Sequence, residues 1–216
     1  MSLIFYAIPP SLYAAKSRIV MRAKGLEWDE RLPPGGYGNS IYKEIIPSGT
    51  LPAIMEDGFR LTESEAINEY LNETHPYPPM LPEGLRARAT ARSLSRFHDT
   101  RLEPVLRTMF AHVAPADRDA DHVTRQAELF NERLAQLARL IKPAPYLTGE
   151  DLSLADCGYP ITFSMLTRLA PELGIKITWP AIVSAYFASL KEHPIVAEEL
   201  ESYLPAVDAW VRSETG

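Results

Sequence analysis

Thr50-Leu51-Pro52-Ala53-Ile54, followed by Glu56-Asp57-Gly58-Phe59-Arg60-Leu61-Thr62-Glu63-Ser64-Glu65-Ala66-Ile67, reads as a strand, a tight turn, a second strand and the start of a helix. Asp57-Gly58 is a strong hairpin signal, because both residues tolerate positive φ. Thr62-x-x-Glu65 has the spacing of a capping box, and Ile67, Tyr70 and Leu71 follow at helical spacing. Pro52 opens the first strand, where a missing N–H costs least. If its peptide bond is cis, the preceding backbone turns outward. The N–H and C=O of Leu51 then pair with an extended, peptide-like ligand as an added strand would. The helix start nearby offers free N–H groups and a positive dipole end to a carboxylate. A peptide-pairing edge beside a carboxylate site suggests a small acidic peptide.

Upstream, Leu3 to Tyr6 reads as a short buried strand, and Pro9-Pro10-Ser11 as a rigid loop. A helix runs from about Ser11 to Gly25, with Ala15, Ile19, Ala23 and Leu26 on one apolar face. Glu27 to Arg31 reads as a second strand, parallel to the first through a crossover helix. Pro33 to Gly38 is a breaker-rich loop, and Ile41 to Ile46 a short helix. The order βαβαββα is that of a thioredoxin-like domain over residues 1–75.

The stretch from Thr50 to Leu71 resembles the glutathione-binding half of a soluble glutathione S-transferase. That family has a thioredoxin-like domain, a cis-proline preceded by a peptide-pairing residue, and a Glu/Gln-Ser pair, here Glu63-Ser64. A second landmark lies downstream. Tyr146-Leu147-Thr148-Gly149 through Ser153-Leu154-Ala155-Asp156 resembles the buried capping box that opens the central helix of the family's C-terminal domain. Its role there is folding.

Residues 76–84 carry four prolines and read as a stiff linker. From 85 to 216 the pattern is helical only. Leu85 to Val113 reads as a long helix bent at Pro104. Ala120 to Ile141 is a second, with Phe130, Leu134, Leu137 and Ile141 at i, i+4, i+7 and i+11. A third opens at the Ser153–Asp156 box and carries Tyr159, Phe163, Leu166 and Ala170. Ile182, Val183, Tyr186, Phe187 and Leu190 mark another helix before Pro194. The expected architecture is α/β followed by an all-α bundle.

The resemblance implies that glutathione binds the first domain and its thiolate attacks an electrophile held by the second. A free thiol titrates near ~8.5, so an enzyme must stabilise the thiolate. A hydroxyl donor at a helix N-terminus does this. Counting back from Arg18-Ile19 and Gly25, Ser11 matches the catalytic serine of zeta-like transferases; it also reads as a plain N-cap. Tyr13 is a rival, standing where delta-like enzymes place serine and beta-like enzymes cysteine. Tyr6, ending the first strand, is the third candidate, although a buried strand aromatic is the simpler reading. Leu51 and Pro52 would hold the cysteinyl backbone, and Thr50 would reach the glycine end or its linking amide. Glu63 would hold the γ-glutamyl ammonium and Ser64 its carboxylate. Lys43 and Asn39 are placed to reach the glycine carboxylate by position alone. Met109, Phe110, His112 and Phe163 fall where the second substrate is expected, but their spacing equally suits core.

Two departures from the family pattern are informative. No cysteine lies near the first helix, which leaves omega-, beta- or glutaredoxin-like thiol chemistry unsupported. The Ser-Ser-Cys signature of zeta-class isomerases is replaced by Ser11-Leu12-Tyr13. A glutathione-dependent isomerase or disulfide reductase, or a non-catalytic binding protein on the same fold, remain the alternatives to a transferase.

Composition sets outer bounds. Among 216 residues, 46% are hydrophobic and 23% charged, ordinary for a globular protein. A net charge of −6 argues against nucleic acid or an anionic membrane as partner. The single cysteine, Cys157, excludes an intrachain disulfide. The five histidines show no metal-ligand spacing. No leader and no membrane-length apolar run is visible, so the cytoplasm is the expected compartment. Family resemblance further implies a homodimer, with glutathione as co-substrate and no metal.

Overall fold

A computed structural model describes residues 3–216. The chain divides into two compact units, the first ending at Met80 and the second beginning at Leu81.

The first unit holds β1 (Leu3–Tyr6), α1 (Leu12–Ala23), β2 (Trp28–Arg31), α2 (Ser40–Ile45), β3 (Ala53–Glu56), β4 (Phe59–Thr62) and α3 (Ser64–Thr74). The sheet runs β2-β1-β3-β4, with β1 and β2 parallel and the other neighbours antiparallel. This is the thioredoxin-like arrangement read from the sequence. The pleat sorts the apolar residues of β1 onto two faces. Tyr6 packs with Tyr42, Ile46 and Ala53 beside Ile4, Ile45 and Leu51. On the other face the Arg18 guanidinium of α1 lies over the Phe5 ring, 5.8 Å from its centroid. Helices α1 and α3 pack against each other.

Helix α1 stops in a Schellman turn: Gly25 N–H donates to Arg22 O and Leu26 N–H to Met21 O, with Gly25 at φ 63°. Beyond α3, the buried Lys24 ammonium donates to Asn72 Oδ1 at 2.8 Å and to the Pro78 carbonyl at 2.5 Å. Met80 N–H also donates to Asn72 Oδ1. These bonds tie the proline-rich stretch to the first unit as far as Met80.

The capping box expected at Thr62–Glu65 does not form. Thr62 ends β4, the N-cap position falls on Glu63, and no side chain caps the helix. The Glu65 carboxylate is drawn instead to Lys16 of α1, 2.6 Å away.

The second unit is helical: α4 (Leu85–Phe97), α5 (Glu103–Thr108), α6 (Ala120–Leu140), α7 (Tyr159–Leu173), α8 (Ala181–Glu192) and α9 (Pro194–Thr215). The long helix expected through Val113 is broken earlier than Pro104. A π-helical turn covers His98–Leu102, and Glu103 N–H donates to His98 O. Pro104 has no N–H for the carbonyl four residues back, and its ring crowds that carbonyl, so the backbone widens before it. The Ser153–Asp156 box holds a turn, and α7 itself starts only at Tyr159. Asp156, wholly buried, accepts from Ser153 N–H, Ser153 Oγ, Leu147 N–H and the Tyr186 hydroxyl at 2.6–3.0 Å. Cys157 is buried beside it, its thiol 3.3 Å from the Ser153 carbonyl. Among the described residues no helix is long and apolar enough to cross a membrane.

Candidate active site

One line of strand register brings the candidate residues to one end of the sheet. Tyr6 pairs with Arg31 on one side and Ala53 on the other, and Ala53 pairs with Thr62. The four strands therefore end level with one another. Four connections leave that single end of the sheet: Ala7 to Ser11, Leu32 to Asn39, Leu51-Pro52 and Glu63-Ser64. Every first-domain residue proposed from the sequence, Asn39 and Lys43 of the α2 region apart, stands at this end or on the first turn of a helix that begins there.

Ser11 is the N-cap of α1, half-buried, and its Oγ accepts the Ala14 N–H at 3.3 Å. That bond occupies a lone pair and leaves the hydroxyl proton to be donated. The N-terminus of α1 adds its positive end at the same place. Tyr13 is half-buried on the first turn of α1. Tyr6 is only 3% exposed and lies edge-on to Tyr42, with ring centroids 5.5 Å apart. It belongs to the core behind the site.

The Leu51–Pro52 peptide bond is cis. Leu51 packs on the Tyr6–Tyr42 cluster through its side chain. Among the described residues no backbone hydrogen bond occupies its N–H or C=O. The preceding residue is fixed from below: the Tyr42 hydroxyl donates to Thr50 O at 3.0 Å. Burial pushes the Tyr42 phenol well up, and the nearby Tyr6 and Tyr37 hydroxyls add to this, so Tyr42 stays a donor. Thr50 Oγ1 shares a hydrogen bond with Ser48 Oγ at 2.8 Å.

Glu63 has φ 69° and ψ 111°, a conformation rare for a residue with a side chain. Such torsions cost on the order of 1–3 kcal/mol and concentrate at functional sites. Here β4 fixes the chain on one side, and the bond from Ile67 N–H to Glu63 O fixes it on the other. The Glu63 side chain is exposed, and Ser64, the first residue of α3, is 7% exposed. Asn39 caps α2 through Ile41 N–H at 2.9 Å, and Lys43 is exposed on that helix.

The residues suggested for a second substrate divide. Met109 and Phe163 are wholly buried, Phe163 within a ring cluster of Tyr159, Trp179 and Phe187. They are core of the second unit. Phe110 packs edge-on against Trp210, and the His112 ring lies 4.7 Å from that of His122.

Sequence reasoning passed over Tyr42 and Lys16, and read Glu65 only as the acid of a capping box. Tyr42 was visible as the aromatic in a short apolar helix just before the proline loop. Lys16 stood in the sequence as one of three basic residues of that helix, with Arg18 and Arg22, and nothing short-range set it apart. Among the described residues no group of three or more His, Cys, Asp or Glu side chains is placed to hold a metal.

Residues 5–79 match the family model described as the glutathione S-transferase N-terminal domain. A probable maleylacetoacetate isomerase of Caenorhabditis elegans is 30% identical over 162 residues, covering 73% of this chain and 75% of that protein. A stringent starvation protein A homolog of Pasteurella multocida is 29% identical over 191 residues, covering 88% and 85%. A glutathione S-transferase of Methylobacterium radiotolerans, solved in complex with glutathione sulfonate, superposes with a TM-score of 0.74 at 25% identity over 92% of this chain and 94% of that one.

Proposed function

Since the chain belongs to the soluble glutathione S-transferase family, we propose that it binds glutathione at the level end of the sheet and conjugates its thiolate to small, hydrophobic electrophiles. The observation that supports this reading is the register Arg31–Tyr6–Ala53–Thr62, which brings the connection ending at Ser11, the Leu51-Pro52 peptide and the start of α3 to one end of the sheet. In this reading Ser11 donates its hydroxyl proton to the sulfur. Leu51 pairs through its backbone with the cysteinyl residue, held in place by Pro52 and by Thr50. Glu63 takes the γ-glutamyl ammonium, and Ser64, with the N-terminus of α3, takes the carboxylate. Lowering the thiol from ~8.5 by one unit requires about 1.4 kcal/mol of preferential interaction with the thiolate, within reach of one charge-assisted hydrogen bond.

Isomerisation is the second reading, favoured by the relatives that carry the name maleylacetoacetate isomerase. It uses the same activated thiolate, as an adding and leaving nucleophile. Ser11-Leu12-Tyr13 in place of Ser-Ser-Cys weighs against it.

The test is titration of glutathione near neutral pH with ultraviolet detection of thiolate. A saturating thiolate signal that Ser11→Ala abolishes while calorimetric binding persists supports the assignment. A signal lost in Tyr13→Phe instead transfers the role to Tyr13. Binding without thiolate overturns the transferase mechanism. Turnover of chlorodinitrobenzene against that of maleylacetoacetate then separates the two reactions.

The reading includes a homodimer. Helix α4 exposes Arg86, Arg88 and Arg96 and carries no acidic residue, whereas α3 carries Glu69 and Glu73 besides the Glu65 that pairs with Lys16. Opposite charges on two surfaces of one chain suit association of copies. Light scattering is expected to give twice the chain mass, with the dimer weakened by high salt.

A further inference from the structure

Lys16 is buried with no exposed side-chain surface, and its ammonium lies 2.6 Å from Glu65 Oε2. Burying an ammonium is costly, and an apolar side chain would join α1 to α3 at least as well. What distinguishes the pair is its position. Lys16 lies five residues beyond Ser11, on the second turn of α1. Glu65 is the second residue of α3, adjoining Ser64. An acid at a helix N-terminus suits the helix dipole, but it opposes any second carboxylate brought to the same N-terminus.

We propose that Lys16 is a charge-balancing and positioning residue for the anionic end of the ligand. It neutralises Glu65 and holds it back against α1, so that the start of α3 presents a net positive face to the γ-glutamyl carboxylate. The inference rests on the reading of Ser64 given above. It makes the strength of glutathione binding depend on the Lys16–Glu65 pair with opposite signs for its two members. A pair that only braces two helices has no such sign difference.

The experiment measures glutathione affinity by calorimetry, and KM and kcat with chlorodinitrobenzene, for wild type, Lys16→Met, Glu65→Gln and the double variant. Lys16→Met is expected to weaken glutathione binding about tenfold, the scale of one unscreened like-charge contact, with kcat little changed. Glu65→Gln is expected to bind glutathione as tightly as wild type or more tightly, and the double variant to return near wild type. γ-Aminobutyryl-cysteinyl-glycine, which lacks only the carboxylate in question, is expected to bind wild type and Lys16→Met alike. Equal weakening by both single variants, or an equal loss with the analogue, overturns the proposal. If Lys16→Met does not fold, Glu65→Gln with the two ligands reads the same sign: tighter binding confined to glutathione supports the proposal, and weaker binding of both overturns it. Failure of wild type to bind glutathione at all overturns the site itself, a result distinct from binding that ignores the pair.

Discussion

The His98 imidazole lies so close to Gly158 that a Cβ on that glycine would stand 2.5 Å from both Cε1 and Nδ1. The ring has no freedom to withdraw. Its Nδ1 meets Asp99 Oδ1 at 2.7 Å and its Nε2 meets Thr162 Oγ1 at 2.7 Å. Gly158 has φ −81°, which any residue adopts, so glycine is needed there for space and not for torsion. Gly158→Ala is expected to destabilise the protein by about 2–3 kcal/mol, the range of overpacked cores. Urea unfolding at unchanged slope measures it. His98→Ala is expected to cost less in the Gly158→Ala background than in the wild type, because the atoms that the methyl group meets are then removed along with the ring's two hydrogen bonds.

The hydroxyl of Tyr42 supports the loop that carries Leu51. Tyr42→Phe keeps the ring packed on Tyr6 and removes only the bond to Thr50 O. The expected cost in stability is about 1 kcal/mol. Under the functional reading given above, KM for glutathione rises several-fold while kcat falls less. Steady-state kinetics at varied glutathione checks the split.

Acid weakens the link between α1 and β2. Arg18 grips Glu30 with Nε and Nη2, at 2.9 and 2.6 Å, and Trp28 adds a third bond. Burial alone pushes the Glu30 carboxyl up, but Arg18 and Trp28 together hold it below its ordinary value. A carboxyl lowered in the folded state binds protons more readily when unfolded. Its contribution is therefore complete above the ordinary glutamate range near ~4.3 and is lost as pH falls through the folded value. Glu30→Gln is expected to flatten that part of the stability profile. With the Glu30 side chain 34% exposed, the effect is below about 1 kcal/mol. Urea midpoints between about pH 7 and pH 3.5 for the two proteins read it.

Asp156 gathers four donors in the interior of the second unit. Asp156→Ala strands them all and is expected to cost about 3 kcal/mol or more. Tyr186→Phe removes one donor from a carboxylate that keeps three and is expected to cost about 1–2 kcal/mol. Thermal and urea unfolding of both variants gives the ranking.

The sequence was most legible where short-range chemistry agrees with the tertiary fold. Asp57-Gly58 reads as a turn, and the hairpin closes there, with Asp57 at φ 48° and Gly58 at φ 85°. Pro52 at a strand start and Gly25 past a helix end were equally readable, because each fixes its own backbone. Legibility failed where a distant partner decides. Thr62 and Glu65 have capping-box spacing, yet Lys16, 49 residues upstream of Glu65, takes the carboxylate. The break before Pro104 begins at His98, a buried residue whose partner Thr162 lies 64 positions away. Helix α9 went unread behind Pro194, although Pro at its first position and Val196, Leu200, Tyr203, Val207 and Val211 at helical spacing were its signal. For the candidate site, residue types and order were readable, but the alignment of the four connections was not. That depends on which strand residues face one another, a property no single segment carries.

The sole cysteine of the chain is sealed beside the Ser153–Asp156 turn. A thiol introduced at a solvent-reached position is thus the one that meets a maleimide dye, with no background to delete first. Ser11→Cys would put that thiol at the N-cap of α1, where mass spectrometry can follow alkylation or a mixed disulfide with glutathione at one known atom. Under the functional reading given above, occupancy of the Leu51-Pro52 edge becomes measurable as protection of that atom, without any substrate being turned over.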